Sequence, residues 1–133
     1  MDNCIFCKIA AGEIPSATLY EDENFRVILD IAPASRGHAL IIPKRHYRDL
    51  YELDDELAKK ALVIAKRIVN GMKGVLNCEG YNILQNNEKR AGQTVFHFHI
   101  HLIPRYPKDK VKIGWSHGKL SDDDKEEIMG IVF

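Results

Sequence analysis

The segment Val95-Phe96-His97-Phe98-His99-Ile100-His101-Leu102-Ile103-Pro104 alternates large apolar side chains with imidazoles, residue by residue, from Phe96 to Leu102. A helix would scatter that pattern around its surface, whereas a strand sorts it onto two faces. The period predicts a strand over 96–104, with His97, His99 and His101 in a row ~7 Å apart on one face. Phe96, Phe98, Ile100 and Leu102 form the other face and need an apolar cover. One segment can supply it. From Asp54 to about Met72, the residues Leu57, Ala61, Ile64, Ala65, Ile68 and Met72 recur at three- and four-residue steps, the stripe of an amphipathic helix. Asp54 suits its N-cap and Asp55 and Glu56 its positive end, while Gly71 and Gly74 loosen the far end.

The remaining apolar runs are short and β-rich. Residues 18–21, 25–31 and 38–43 read as strands, punctuated by Glu-Asp-Glu-Asn and by Ala32-Pro33-Ala34-Ser35-Arg36-Gly37. A further strand is expected over 81–86, joined to the histidine strand by the polar stretch 87–93. Ser121-x-x-Asp124 opens a short last helix. Strands joined by short turns favour an antiparallel sheet with the long helix on one face. The expected class is α+β: five strands and a helix, in one domain over residues 1–133, since 133 residues are too few for two.

Charge narrows the function. The chain carries 19 Lys plus Arg against 19 Asp plus Glu, for a formal net charge of zero. A duplex nucleic acid or a membrane surface is bound through a broad basic face, and none is expected here. A small pocket for one phosphate needs only local donors. No apolar run reaches the ~18 residues of a spanning helix, and the amino terminus lacks a signal-peptide core. The chain has three cysteines, two of them spaced Cys4-x-x-Cys7, which suits a reducing, cytoplasmic setting and a metal or redox role.

The three alternating histidines leave two chemistries open. Imidazoles on one strand can ligate a metal, or one can serve as nucleophile or acid–base group near neutral pH. Just upstream, Gly92 permits close backbone approach, while the Gln93 amide and Thr94 hydroxyl can donate to phosphate oxygens. Cys4 and Cys7 lack a second Cys-x-x-Cys, and a redox pair would prefer a βαβ context that the pattern does not show.

Taken in register, Gly92-Gln93-Thr94-Val95-Phe96-His97-Phe98-His99-Ile100-His101-Leu102-Ile103 resembles the signature of the histidine-triad (HIT) family. Cys4-Ile5-Phe6-Cys7-Lys8-Ile9 resembles the amino-terminal motif of its Hint-like branch. Glu13-Ile14-Pro15-Ser16, Leu29-Asp30-Ile31 and Gly37-His38-Ala39-Leu40-Ile41-Ile42-Pro43-Lys44-Arg45-His46 match in order and spacing. The resemblance implies a HIT-like fold, a five-stranded antiparallel sheet with one long helix and short terminal helices. It implies a nucleotide hydrolase or transferase acting at the α-phosphate, in which His99 takes the nucleotidyl group and water releases it. His101 would contact the phosphate and leaving group, His38 would orient them, Gln93 and Thr94 would hold phosphate oxygens, and His97 completes the triad. The nucleoside would lie among Phe6, Ile9, Ile28 and Ile31, with Asp30 on the ribose hydroxyls and Asn86 near the phosphate or ribose. No catalytic metal is implied.

The same resemblance implies a structural zinc held by Cys4, Cys7, His46 and His97, and a homodimer joined through the long helix and a strand edge. Leu62, Val63 and Val69, apolar and off the helix's main stripe, favour such an interface. Cys78 has no partner in this scheme. Adenosine phosphoramidate hydrolysis with release of AMP is the leading expectation. A dinucleoside polyphosphate hydrolase, suggested by Gln93-Thr94 and His101-Leu102-Ile103-Pro104-Arg105, and a nucleotide-binding scaffold with little turnover are the alternatives. One position departs from the family pattern: Glu88 stands where a glycine is usual, which restricts the loop and predicts a carboxylate near an anionic substrate. The stretch after Pro104 has no clean match, and Trp115 is expected in plain hydrophobic packing or near a partner's site.

Overall fold

The computed structural model describes residues 3–131; Met1 and Asp2 of the polar amino terminus lie outside them. In chain order the elements are α1 (Ile5–Ala10), β1 (Thr18–Glu21), β2 (Phe25–Leu29), β3 (Ala39–Pro43), α2 (Asp55–Leu76), β4 (Gly80–Leu84), β5 (Ile100–Arg105) and α3 (Asp122–Ile131). The five strands form one antiparallel sheet in the order β1-β2-β3-β5-β4, so β1 and β4 are its edges.

The sheet divides its side chains by parity. Phe25, Val27, Ala39, Ile41, Phe98, Ile100 and Leu102 meet Ala61, Ile64 and Ala65 of α2 in one dry cluster. Ile28, Leu40 and Ile42 point the other way, where α1 lays Phe6 and Ala10 over them. The expected stripe is therefore the buried stripe. Asp54 caps α2, its carboxylate accepting from the Glu56 and Leu57 N–H groups at 3.1 and 3.2 Å. The helix runs on past Gly71 and Gly74 and stops at Asn77, whose left-handed φ of 54° closes the last turn. Tertiary contact outweighs two weak helix formers there. Leu76, in that last turn, lies over Gly37: a Cβ on Gly37 would stand 2.5 Å from Leu76 Cδ1, and its φ of +89° also demands glycine.

Several expected boundaries move, and the strand expected over 81–86 is β4, Gly80–Leu84. The strand over 25–31 ends at Leu29, and His38 precedes β3 instead of opening it. The histidine strand begins at Ile100 and not at Phe96. Upstream of Ile100 the chain bends over residues 95–97 and leaves the ladder: the Phe98 N–H donates to Tyr47 O at 2.6 Å, outside the sheet. Pro43 O, on β3, accepts from the His97 ring instead of from a backbone N–H. Phe96 accordingly does not pack under α2. It is 39% exposed, with the Arg48 guanidinium 4.7 Å above its ring.

Beyond Arg105 the chain runs along the surface to α3, which Ser121 caps through the Asp124 N–H at 3.1 Å. No residue of α3 is buried, and Trp115 is 78% exposed, so it does not enter the hydrophobic core. Cys78 is a buried free thiol.

Candidate active site and metal centre

The run before β5 carries two histidines in different employments. His97 is fully buried, and its Nε2–H donates to Pro43 O at 2.8 Å, which leaves a lone pair on Nδ1. That nitrogen faces Cys4 Sγ at 3.3 Å, Cys7 Sγ at 3.4 Å and His46 Nδ1 at 3.2 Å, and Cys7 Sγ lies 3.3 Å from His46 Nδ1. Around an ion bound at ~2.3 Å to sulfur and ~2.05 Å to nitrogen, tetrahedral edges come to roughly 3.3–3.8 Å. The four separations given lie near the short end of that range. Burial pushes the His97 pKa down to about 4, which keeps it neutral, as a ligand must be. Burial and the adjacent Cys4 push the Cys7 thiol up to about 11, a cost that a bound cation reverses. Two sulfurs and two imidazoles form a closed set suited to structural zinc.

His99 stands two residues further along the same run, against the same Phe6 ring as His97. Its Nδ1–H donates to the His97 carbonyl at 2.8 Å, so the lone pair is on Nε2. The Phe6 ring meets it edge-on at 4.9 Å. Burial lowers its pKa and favours the neutral, nucleophilic form. Beside it stands His101, whose partner is His38. The Ala34 N–H donates to His38 Nδ1 at 2.9 Å, which puts the proton on His38 Nε2, and this donates to His101 Nδ1 at 2.9 Å. His101 is thereby left with an Nε2–H donor. Burial, then the neighbouring His99 and His38, push the His101 pKa down to about 4. Asp30 lies 3.7 Å from His38 Nε2. Asp30, His38 and His101 could by proximity hold a metal. The Ala34 N–H opposes it, because it commits His38 to the tautomer with no lone pair on Nε2.

These groups open onto a cavity of about 320 Å³, within the range of small-ligand sites. Phe6, Ile9, Ile28, Asp30, Ile31, Thr94, His99 and His101 line it, so eight of the expected residues meet at one place. Ile31 is 99% exposed at the rim, an apolar side chain left in water until something covers it. Ile14, Pro15, Leu40 and Val95 also line the cavity. Ile14-Pro15 stood out in the sequence only as part of a matching motif, with no role attached, and Leu40 and Val95 read as plain strand residues.

Two expected phosphate contacts lie elsewhere. Gln93 is buried, and its amide is spent inside the protein: Nε2 donates to Arg48 O at 2.7 Å and Val95 O at 3.2 Å, and Oε1 accepts from the Glu88 N–H at 2.8 Å. It shapes the loop and does not line the cavity. Asn86 sits beneath Gly92, donating to its carbonyl at 3.4 Å. Glu88 does not present its carboxylate to the cavity, as expected from its position, because Arg48 Nη2 holds it at 3.0 Å.

Comparison with known proteins agrees with this geometry. The HIT domain model matches residues 11–108. The chain is 49% identical over 113 residues to adenosine 5'-monophosphoramidase HNT1 of Saccharomyces cerevisiae, covering 84% of this chain and 69% of that protein. The crystal structure of a HIT family protein from Bacillus anthracis superposes with a TM-score of 0.92 at 41% identity, over 98% of this chain and 95% of that one. A zinc-bound histidine triad family protein from Mycobacterium smegmatis superposes with a TM-score of 0.79 at 40% identity, over 94% and 87% of the two chains. Fold, triad and relatives converge: the chain belongs to the histidine-triad (HIT) family and is an enzyme of that family.

Proposed function

We propose that this enzyme hydrolyses adenosine 5'-phosphoramidates, releasing AMP through a nucleotidyl-His99 intermediate. The observation that carries the reading is the His99 tautomer: with Nδ1–H tied to the His97 carbonyl at 2.8 Å, the attacking lone pair is Nε2. Neutral Nε2 attacks the α-phosphorus, a P–N bond to His99 forms, and the bond to the leaving amine breaks. The amine takes up a proton as it departs. The positive charge that develops on the His99 ring strengthens its bond to the carbonyl, an acceptor already in place. His101 offers its Nε2–H to the phosphoryl oxygen or leaving group, with His38 fixing its tautomer. Water then splits the His99–phosphorus bond. The apolar cavity accommodates the purine, and Asp30 at its rim accepts from the ribose hydroxyls.

Zinc, held by Cys4, Cys7, His46 and His97, ties the amino terminus to the run that carries His99 and supplies no step of the reaction. Two thiolate ligands need a reducing compartment, and the chain works in the cytoplasm. Among the described residues, no helix is long and apolar enough to cross a membrane. The enzyme acts as a homodimer, supported by the exposed Leu62 and Val63 of α2 and Ile83 of the edge strand β4, which with Val69 line a groove of about 600 Å³.

The decisive experiment follows AMP release from adenosine 5'-phosphoramidate, with a diadenosine polyphosphate as competitor. The phosphoramidate is turned over faster, and His99→Ala loses ~10³-fold or more in rate while still binding AMP. Preference for the dinucleotide, or an active and folded His99→Ala protein, overturns the reading. Elemental analysis should find one zinc per chain, and light scattering about twice 15.2 kDa.

A further inference from the structure

Glu88 has φ 79° and ψ 155°, a backbone region that glycine occupies freely and other residues avoid. The other non-glycine residue with positive φ among those described, Asn77, sits in the ordinary left-handed well of a helix cap. Glu88 alone is strained. Its main chain is held on both sides: the N–H donates to Gln93 Oε1, and the carbonyl accepts from the Ala91 and Gln93 N–H groups at 3.1 Å each. Its side chain is held from outside the loop. Arg48 Nη2 donates to the carboxylate at 3.0 Å, while Gln93 Nε2 donates to the Arg48 carbonyl at 2.7 Å. Arg48, Gln93 and Glu88 thus close a ring of three residues.

An exposed ion pair is ordinarily worth little. This one has a fixed partner. Arg48 Nη1 also donates to the buried Asp49 carboxylate at 2.8 Å, and the guanidinium lies on the Phe96 ring. With the cation immobilised, the pair costs little further side-chain entropy on the arginine side. The loop that Glu88 bends continues through Gly92 to Thr94 and Val95, which line the cavity beside His99.

We propose that Glu88 is a positioning residue: its carboxylate, latched to Arg48, holds a strained turn that, through the buried Gln93, sets Thr94 and Val95 against the cavity beside His99. The functional part of this statement rests on the nucleotide-hydrolase reading above; the latch itself does not. A glycine at position 88 adopts the same φ without strain and needs no latch, whereas an alanine keeps the strain and loses the latch. The two substitutions therefore have opposite consequences. A carboxylate acting through its charge on an anionic substrate would make them equivalent.

The test compares wild type, Glu88→Ala and Glu88→Gly by amide exchange at Gln93, whose N–H bonds to Glu88 O, and by kcat and KM with adenosine 5'-phosphoramidate. Glu88→Ala should exchange about tenfold faster at Gln93, equivalent to ~1.4 kcal/mol, and lose about tenfold in kcat with a smaller change in KM. Glu88→Gly should match wild type in both. Alanine and glycine variants that behave alike, or a glycine variant far better protected than wild type, overturn the latch. Exchange is read without turnover, so an inactive wild type would refute the hydrolase reading and still leave the latch decided.

Discussion

The two faces of the sheet carry similar aliphatic residues and meet different covers. On one, the 22-residue α2 lies across β2, β3 and β5 and buries their side chains in one cluster. On the other, α1 has six residues and covers only Ile28, Leu40 and Ile42 with Phe6 and Ala10. Where that short cover ends, the sheet face stays open, and His99 and His101 stand in the opening. The site is the part of a hydrophobic surface that the fold declined to finish.

That contrast can be broken from the dry side first. Phe25→Ala, a fully buried ring deep under α2, should cost ~3–5 kcal/mol in denaturant unfolding, with kcat unchanged below the transition. A second change tests where the two faces are coupled. Gly37→Ala adds a methyl against Leu76 and forces an L-residue to φ +89°, so it should cost ~1–3 kcal/mol. Because His38 follows directly, this variant should also lose activity, which Phe25→Ala should not.

Acidity sharpens the comparison, since the α2 cluster holds no histidine. His101 has its pKa pushed to about 4 in the folded protein, against ~6.5 when unfolded. Between those values the unfolded chain binds a proton that the folded chain refuses, so stability rises with pH from about 4 to ~6.5 and then levels in this group. Burial shifts His38 in the same direction. His101→Asn should make that acid limb less steep in unfolding measured across pH, the remainder coming from His97, His99 and His38, while Phe25→Ala lowers the whole curve without changing its shape. The smallest effect on stability belongs to Ile31→Ser at the rim. Its side chain touches almost nothing, so unfolding should shift by less than about 0.5 kcal/mol, yet KM for the nucleotide should rise several-fold.

What was legible in the sequence follows the same division. The stripe of α2 and the alternation around His99 are periodic, and periodicity reports faces, so both helix and strand were readable with their buried sides. The start of β5 was not. Alternation predicts an extended path over 96–99 but is silent on whether their N–H groups find a neighbouring strand; the chain bends at 95–97, and Phe98 finds Tyr47 instead. The cluster of Cys4, Cys7, His46 and His97 and the cavity wall became readable through resemblance, since Cys4, His46 and His97 are joined only by folding. Gln93 shows the limit of reasoning from residue type: an amide suited to phosphate is spent on Arg48, Val95 and Glu88, and its partners are set by loop geometry.

The acceptor that orients His99 is a peptide carbonyl, that of His97, and not a side chain. A carboxylate in that role could be deleted by a single nucleotide change. A main-chain oxygen cannot, because every amino acid at position 97 brings one. The tautomer of His99 is thereby insulated from mutation so long as the chain keeps its path. On the mechanism proposed above, residues around the leaving group can drift, and substrate preference with them, while the attacking atom is inherited unchanged.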